Sequence, residues 1–380
     1  MQNLKVLILT IPHGAAHQRI AEALRKALLE IRADLEVEVV NALDHCTHWF
    51  RIYYDSFEIP MKYWHALWEW IENLQHQGES TSPAWLYRRG AQPLFRYIQA
   101  FNPDVVIATE VGLCEIAVML KRETHARFHL VGAGALDFDR AWAQPEVDLY
   151  PAAPGDVAAQ LEAAGVSPHK ILPCGMPVDP AFGSILDRSA VRARLEVEPD
   201  IPLLLVTFGG TGAAKPRLIL PELKKVRQPF QAVFITRRNQ RLHDEVQRLC
   251  QGRRQFRALG WVDNMHEWMA AADLLLGRAG GTLVAEAINS GLPILAFNLP
   301  PGDERRTCDL IEKKWHVGYW VKHQKDLAPT IARLLADPGE LRRLRQNALL
   351  LARPQAAQEA AEAILELCQP HASINTASRD

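Results

Sequence analysis

"GWVDNMHEWMAAADLLLGRAGGTLVAEAINSGLPILAFNLPPGDE" occupies residues 260–304. It reads as a strand end, a short helix, the continuous apolar strand "ADLLLG", a turn at Gly280 and Gly281, and a helix opening near Thr282. A further apolar strand, "LPILAFN", follows that helix. Strand, glycine turn and helix in this order leave the first helical amides unpaired at the helix end. Their dipole favours an anion, and glycine lets the backbone come close to it. Glu286, one turn into the helix, offers a carboxylate within reach of a nucleoside's ribose hydroxyls. A lone GG-T-x-x-x-E pattern carries little, because an exposed helical Glu is common. "FGGTGA" at 208–213, with Gly209, Gly210, Thr211 and Gly212, adds a second glycine turn after the strand "PLLLVT". Two such turns at the carboxyl ends of strands define one diphosphate site.

The same alternation runs outward in both directions. "QAVFITRR" and "FRALGWV" precede the stretch, and the first half repeats the pattern with "LKVLILT" (4–10), "LEVEVV" (35–40), "PDVVIAT" (103–109), "FHLVGAG" (128–134) and "VDLYPAA" (147–153). Continuous apolar strands separated by helices predict parallel sheets covered on both faces. The proline- and glycine-rich "VSPHKILPCGMPVDPAFG" (166–183) reads as an interdomain linker. The fold expected is α/β, with two doubly wound Rossmann-like domains facing a central cleft. Residues 1–180 form the first domain, with an insert at about 45–100, and residues 181–352 form the second. Residues 353–380 form a final helix and a polar tail expected to be disordered.

The chain has 380 residues, with 43 basic and 44 acidic side chains and a formal net charge of -1. That balance gives no global attraction to nucleic acid, so an anionic partner must be met locally. Six scattered cysteines without a CxxC pair, and no secretory signal before the first strand, lead to the expectation of a reduced, cytoplasmic protein. No apolar run reaches the ~18–20 residues that cross a bilayer. Contact with a membrane would therefore be peripheral, at its cytoplasmic face.

Five of the ten tryptophans fall between 49 and 85, where the strand–helix rhythm breaks. In "MKYWHALWEWI", helical spacing puts Trp64, Trp68 and Ile71 on one face, and Lys62, His65 and Glu69 opposite. Such a segment suits a bilayer interface, with Trp85 beside it and Arg88 and Arg89 placed to meet lipid phosphates. The alternative is a helix packed on its own domain.

"HGAAHQRIAEAL" (13–24) joins the first strand to the first helix. It has the position of a phosphate turn with alanines in place of glycines, which leaves His17 open to two readings. It is either a functional group aimed at the cleft or an ordinary helix-start residue.

Residues 260–304 resemble the donor-site signature of the GT-B glycosyltransferases. That group includes the monogalactosyldiacylglycerol synthases, the processive diacylglycerol glucosyltransferases and the peptidoglycan enzyme that adds GlcNAc to a lipid-linked muramoyl pentapeptide. "GAAHQRIAEAL" stands where these have a GGGH-type loop, "STSPAWLYR" (80–88) resembles their acceptor region, and "DFDRAWAQPEVDLYPAA" resembles their TDF…H.W…VD.Y segment. "ILPCGMPVDPAF" matches their approach to the linker. The resemblance implies a UDP-sugar donor and a membrane lipid acceptor, with diacylglycerol foremost and no resident cofactor. It places uracil against backbone near Val262, ribose on Glu286, diphosphate on the glycine turns and Thr282, and the sugar on Asp303 and Glu304. Gln has become Asp at the first of that sugar pair, which leaves galactose and glucose both open. The implied reaction is an inverting displacement that needs a general base and positive dipoles at the leaving diphosphate. His17 matches the base, with Asp137 as its rival; "DFD" (137–139) also reads as a metal-binding DxD, although only Asp137 has a counterpart and no metal is expected. Ala15, Ala16 and Ala141 depart from the pattern. Other readings are a polyprenyl-linked acceptor, a UDP-sugar epimerase or hydrolase, and a GT-B-shaped binding protein without activity.

Overall fold

Strands that read as continuous apolar runs bury both faces, and the order in which they pair decides where a ligand can sit. The computed structural model describes residues 4–12, 16–56, 64, 84–134, 136, 140–153, 155–208, 216–297 and 302–369. A four-stranded parallel sheet has the order β2-β1-β3-β4, built from β1 (Lys5–Thr10), β2 (Glu36–Asn41), β3 (Val105–Ala108) and β4 (His129–Gly132). Val6 to Leu9 of the central β1 are wholly buried. The chain first steps from β1 to β2 on one side, then returns to lay β3 and β4 on the other. The order therefore reverses between β1 and β3.

β5 (Tyr150–Pro151) and β6 (Ile171–Leu172) form a separate two-stranded pair. The strand expected at 147–153 is thus two residues long, and it touches the first sheet through a single bridge from Leu149 to Val131. Pro151 brings no N–H to extend a ladder. The buried Tyr150 hydroxyl donates to the Trp142 carbonyl at 2.7 Å instead.

The second sheet has six parallel strands in the order β12-β11-β10-β7-β8-β9. They are β7 (Leu203–Thr207), β8 (Gln231–Ile235), β9 (Phe256–Leu259), β10 (Leu274–Gly277), β11 (Ile294–Phe297) and β12 (Gly318–Val321). Here the order reverses between β7 and β10. Open α/β sheets bind ligands at such reversals, outside the carboxyl ends of the strands.

Seven helices matter for the site. α1 (Ala16–Ile31) buries Ile20, Ala21, Ala23, Leu24, Ala27 and Leu28, a stripe at three- and four-residue spacing. α2 (His48–Ser56) and α3 (Ala84–Gly90) come from the insert, and α4 (Val111–Thr124) follows β3. α5 (Gly281–Asn289) follows β10, and α6 (Gly302–Asp309) follows β11. α7 (Ala356–Leu367) turns its buried Ala356, Ala357, Ala360, Ala361, Ile364 and Leu365 inward and packs against α1, so the end of the chain is bound to the first sheet's layer. Residues 370–380, where a disordered tail is expected, lie outside the described residues.

Candidate functional site

The sequence sends the loops after β1 and β3 to one reversal point and those after β7 and β10 to the other. His17 is the second residue of α1 and is half-buried. Its Nδ1 lies 2.6 Å from the Thr109 carbonyl, just past β3. A carbonyl only accepts, so Nδ1 carries the proton and the neutral ring keeps its lone pair on Nε2. Thr109 is itself pinned, because its backbone N–H and its Oγ1 both donate to the Leu9 carbonyl at 3.1 Å. The imidazole is thereby oriented by the carboxyl ends of β1 and β3. Asp137, the other candidate base, lies outside the described residues, as do Ala15 and Asp139. Ala141 falls in a short 3-10 turn, Arg140–Trp142.

At the second reversal, Gly280 caps α5 in extended backbone (φ −69°, ψ 139°) with no side-chain cap. Among the described residues a Cβ at Gly280 would meet nothing within 4 Å, and the amides of Gly281 and Thr282 belong to the first turn of α5, where a helix leaves its N–H groups without intrahelical partners. Gly277, at the end of β10, is the opposite case: a Cβ there would stand 2.5 Å from Thr207 Oγ1. That threonine hydroxyl, at the end of β7, is buried and has no hydrogen-bond partner among the described residues. Gly209, Gly210, Thr211 and Gly212 come after Phe208 and lie outside the described residues.

Glu286 is only 3% exposed, and both its carboxylate oxygens accept from Nη1 of Arg19. Arg19 stands on α1, two residues beyond His17, so this ion pair joins the helix of the first sheet to α5 of the second. Burial pushes the Glu286 carboxyl up to about 7, against the opposing pull of Arg19 and Arg237. Arg237 has left-handed backbone (φ 58°), and burial lowers its pKa. The guanidinium carbons of Arg237 and Arg238 lie 5.7 and 4.6 Å from the Trp261 ring centre, and the indole Nε1 donates to Asp263 Oδ1 at 2.6 Å. Val262, half-buried, comes directly after this fixed indole.

Glu304 sits in the first turn of α6, where Arg278, from the turn after β10, grips it with Nε and Nη2 at 2.9 and 2.8 Å. Asp303 precedes it in the same helix. Val262, Gly280, Gly281, Thr282, Glu286 and Glu304 thus occupy the ends of the β9-to-β11 units, and Arg19 brings α1 to them. Arg19, Arg237 and Arg278 escaped the sequence reading. Arg278 lay inside the quoted motif as a cation next to a glycine turn. Arg19 left no local signal, since its partner is 267 residues away.

The insert residues gather elsewhere on the first sheet's layer. The Thr47 N–H donates to the Gly90 carbonyl at 2.9 Å, which joins the start of α2 to the end of α3. A Cβ at Gly90 would fall 2.1 Å from the Phe50 ring, so the two helices touch there. On their outer side Trp49, Ile52 and Trp85 are 43%, 55% and 59% exposed. Arg88 and Arg89 are exposed beside them, and Arg88 pairs with Glu123 at 2.6 Å. Trp64 is 61% exposed and stands in irregular backbone, while Trp68 and the rest of the expected amphipathic helix lie outside the described residues. No helix among the described residues is long and apolar enough to cross a membrane.

Two families match this chain in succession. Residues 17–178 match the family described as monogalactosyldiacylglycerol (MGDG) synthase, and residues 203–307 match the glycosyltransferase family 28 C-terminal domain. Over 97% of its length the chain is 25% identical to monogalactosyldiacylglycerol synthase 3, chloroplastic, of Arabidopsis thaliana, covering 82% of that protein. It is 23% identical to the processive diacylglycerol beta-glucosyltransferase of Bacillus pumilus, with 96% of this chain and 95% of that one covered. Among solved structures, Acinetobacter baumannii MurG superposes with a TM-score of 0.63 at 13% identity, over 96% of this chain and 99% of that one. The UDP-GlcNAc 2-epimerase of Neisseria meningitidis, bound to UDP-GlcNAc, gives 0.58 at 14%, over 96% and 100%. Both share the two-domain GT-B layout seen here.

Proposed function

We propose that this chain, whose residues 17–178 match the monogalactosyldiacylglycerol synthase family and whose residues 203–307 match the glycosyltransferase family 28 C-terminal domain, moves a hexose, galactose or glucose, from a UDP-sugar to diacylglycerol in a membrane. One observation carries the reading: α1 bears His17 at the first reversal point and, through Arg19, touches Glu286 at the second. A base and a ribose-reading carboxylate therefore share one cleft. In this reading residues 1–180 serve the acceptor and residues 181–352 the donor.

Uracil lies along the backbone at Val262, the ribose diol donates to Glu286, and the diphosphate meets the amides of Gly281 and Thr282. The glycine run at 209–212, which lies outside the described residues, is assigned to the same diphosphate by its sequence alone. Thr207 Oγ1, buried without a partner among the described residues, is available to an oxygen of the bound donor. Glu304, with Asp303, receives the sugar hydroxyls, and the Arg278 fork fixes the Glu304 oxygens for that task. His17 Nε2 takes the proton of the acceptor hydroxyl as that oxygen attacks the anomeric carbon from the face opposite the diphosphate. The anomeric configuration inverts. The Thr109 carbonyl keeps the imidazole in the tautomer this requires.

The exposed Trp49, Ile52, Trp64 and Trp85, flanked by Arg88 and Arg89, support docking on an anionic bilayer at its cytoplasmic face, where indoles favour the headgroup level. The test is incubation with radiolabelled UDP-galactose or UDP-glucose and vesicles with or without diacylglycerol. Label should enter the organic phase with one of the donors and only when diacylglycerol is present. Absence of lipid label from both donors, beside an active control enzyme, would refute the reading.

A further inference from the structure

We propose that Arg19 is a catalytic residue supplied across the cleft: the nucleoside takes Glu286 away from it, and its guanidinium passes to the diphosphate, whose charge it carries as the sugar leaves. The proposal rests on the donor reading above and adds to it a leaving-group cation from the acceptor side.

Three observations lead to it. First, a single nitrogen, Nη1 of Arg19, donates to both oxygens of Glu286. A vicinal diol donates to those same two oxygens, so a docking ribose competes with the arginine for them. Second, the displaced cation stays beside a like charge. Burial and then the Arg19 charge lower the pKa of Arg237, and the Arg19 side chain keeps 32% exposure, so it can leave Glu286 without being trapped in the core. A guanidinium freed next to another cation is drawn to an arriving anion. The diphosphate arrives with the ribose and supplies two charged groups. Third, the distance to be covered is short. Glu286 is four residues past Thr282, a rise of about 6 Å along the helix. Helical side chains lean toward the N-terminus, so the Glu286 carboxylate already overhangs the turn that carries the phosphate-binding amides. A change of Arg19 rotamers spans the remainder, and the planar fork matches phosphate oxygens bidentately.

The step then balances. The bond between the anomeric carbon and the β-phosphate oxygen breaks, and its electron pair stays on the diphosphate beside Arg19. The acceptor oxygen bonds to the anomeric carbon, and its proton goes to His17 Nε2. One helix, α1, would thereby hold both the base that starts the displacement and the cation that ends it.

The experiment compares titrations of UDP and of uridine on wild type, Arg19→Ala and Arg19→Lys, together with transfer rates. Arg19→Ala should weaken UDP by about 10- to 100-fold while uridine binds as well as to wild type or more tightly. Transfer should show kcat lowered by roughly 100-fold, with part recovered in Arg19→Lys. Retained uridine binding on the same sample reports that the donor site is folded. If UDP and uridine shift together, if UDP binds more tightly to Arg19→Ala, or if kcat stays within about twofold, Arg19 only competes for Glu286 and the proposal is overturned. Wild type that binds neither UDP nor uridine would instead refute the donor reading itself, and this proposal with it.

Discussion

The two strand-to-helix turns of this protein, after β1 and after β10, stand at the same place in two sheets of the same design and have diverged in chemistry. The turn after β10 is Gly280, Gly281 and Thr282, with open space beside Gly280 among the described residues and no side-chain cap on the helix it opens. The turn after β1 carries alanines and then His17, whose ring is held by a carbonyl of the neighbouring strand. Glycine removes side chains so that backbone dipoles can reach an anion, whereas alanine fills that space and leaves recognition to a side chain. In the proposed reading one topological site cradles an anion and its counterpart places a base.

Breaking the base should have the largest effect. His17→Ala should lower transfer to diacylglycerol by about 1,000-fold, measured as kcat, since general-base removal commonly costs 10²- to 10⁴-fold. Loss of less than tenfold would move the role to another group, with Asp137 next in line. Breaking the carboxylate proposed to read the ribose comes second. Glu286→Ala should weaken UDP by about 10- to 100-fold in calorimetry, because the ribose diol loses a charged acceptor.

The titration of Glu286 sharpens the comparison further. Burial raises its carboxyl to about 7 from an ordinary 4.5, so the ionised form that best accepts ribose hydroxyls prevails only above neutrality. Uridine affinity should therefore fall by roughly tenfold between pH 8 and pH 6, and Glu286→Gln should abolish that slope. For stability the sign is opposite. A carboxyl raised in the fold contributes stability fully below its unfolded value, and the contribution is lost as pH rises through about 7.

The two glycines near α5 separate binding from folding. Gly280→Ala adds a methyl in open space at an ordinary φ, so the melting temperature should hold while UDP affinity drops several-fold. Gly277→Ala drives a methyl against Thr207 Oγ1 and should lower the melting temperature by several degrees, through about 1–3 kcal/mol of overpacking. The smallest effect is expected at the periphery. Replacing Trp49 and Trp85 by Ser should reduce flotation with anionic vesicles a few-fold and leave UDP affinity unchanged.

The strands and helix that carry the proposed donor residues were legible in the sequence because they are local. Strand, glycine turn, Thr282 and Glu286 lie within a few residues of one another, and the apolar runs on either side fix the parallel sheet. What escaped depends on contacts between distant segments. The Arg19 to Glu286 pair spans 267 residues, and no periodicity encodes it. The return of α7 to α1 is invisible for the same reason, since an alanine-rich helix face does not announce its partner. The strand expected at 147–153 failed for a nearer cause, because Pro151 stops the ladder that the apolar pattern promised. In the insert, tryptophan density pointed to a membrane face, but helical spacing pointed to Trp64 and Trp68. Among the described residues of the insert, exposed apolar surface is carried by Trp49, Ile52 and Trp85 on α2 and α3 and by Trp64, while Trp68 and the rest of that expected helix lie outside them.

The division of labour between the two turns is the central claim, and the UDP affinity of the His17→Ala protein tests it most directly. The account predicts a dissociation constant within about twofold of wild type, because the nucleotide belongs to the turn after β10 and the histidine to the acceptor. A loss of UDP binding as large as that expected for Glu286→Ala would contradict it and return the N-terminal turn to phosphate recognition.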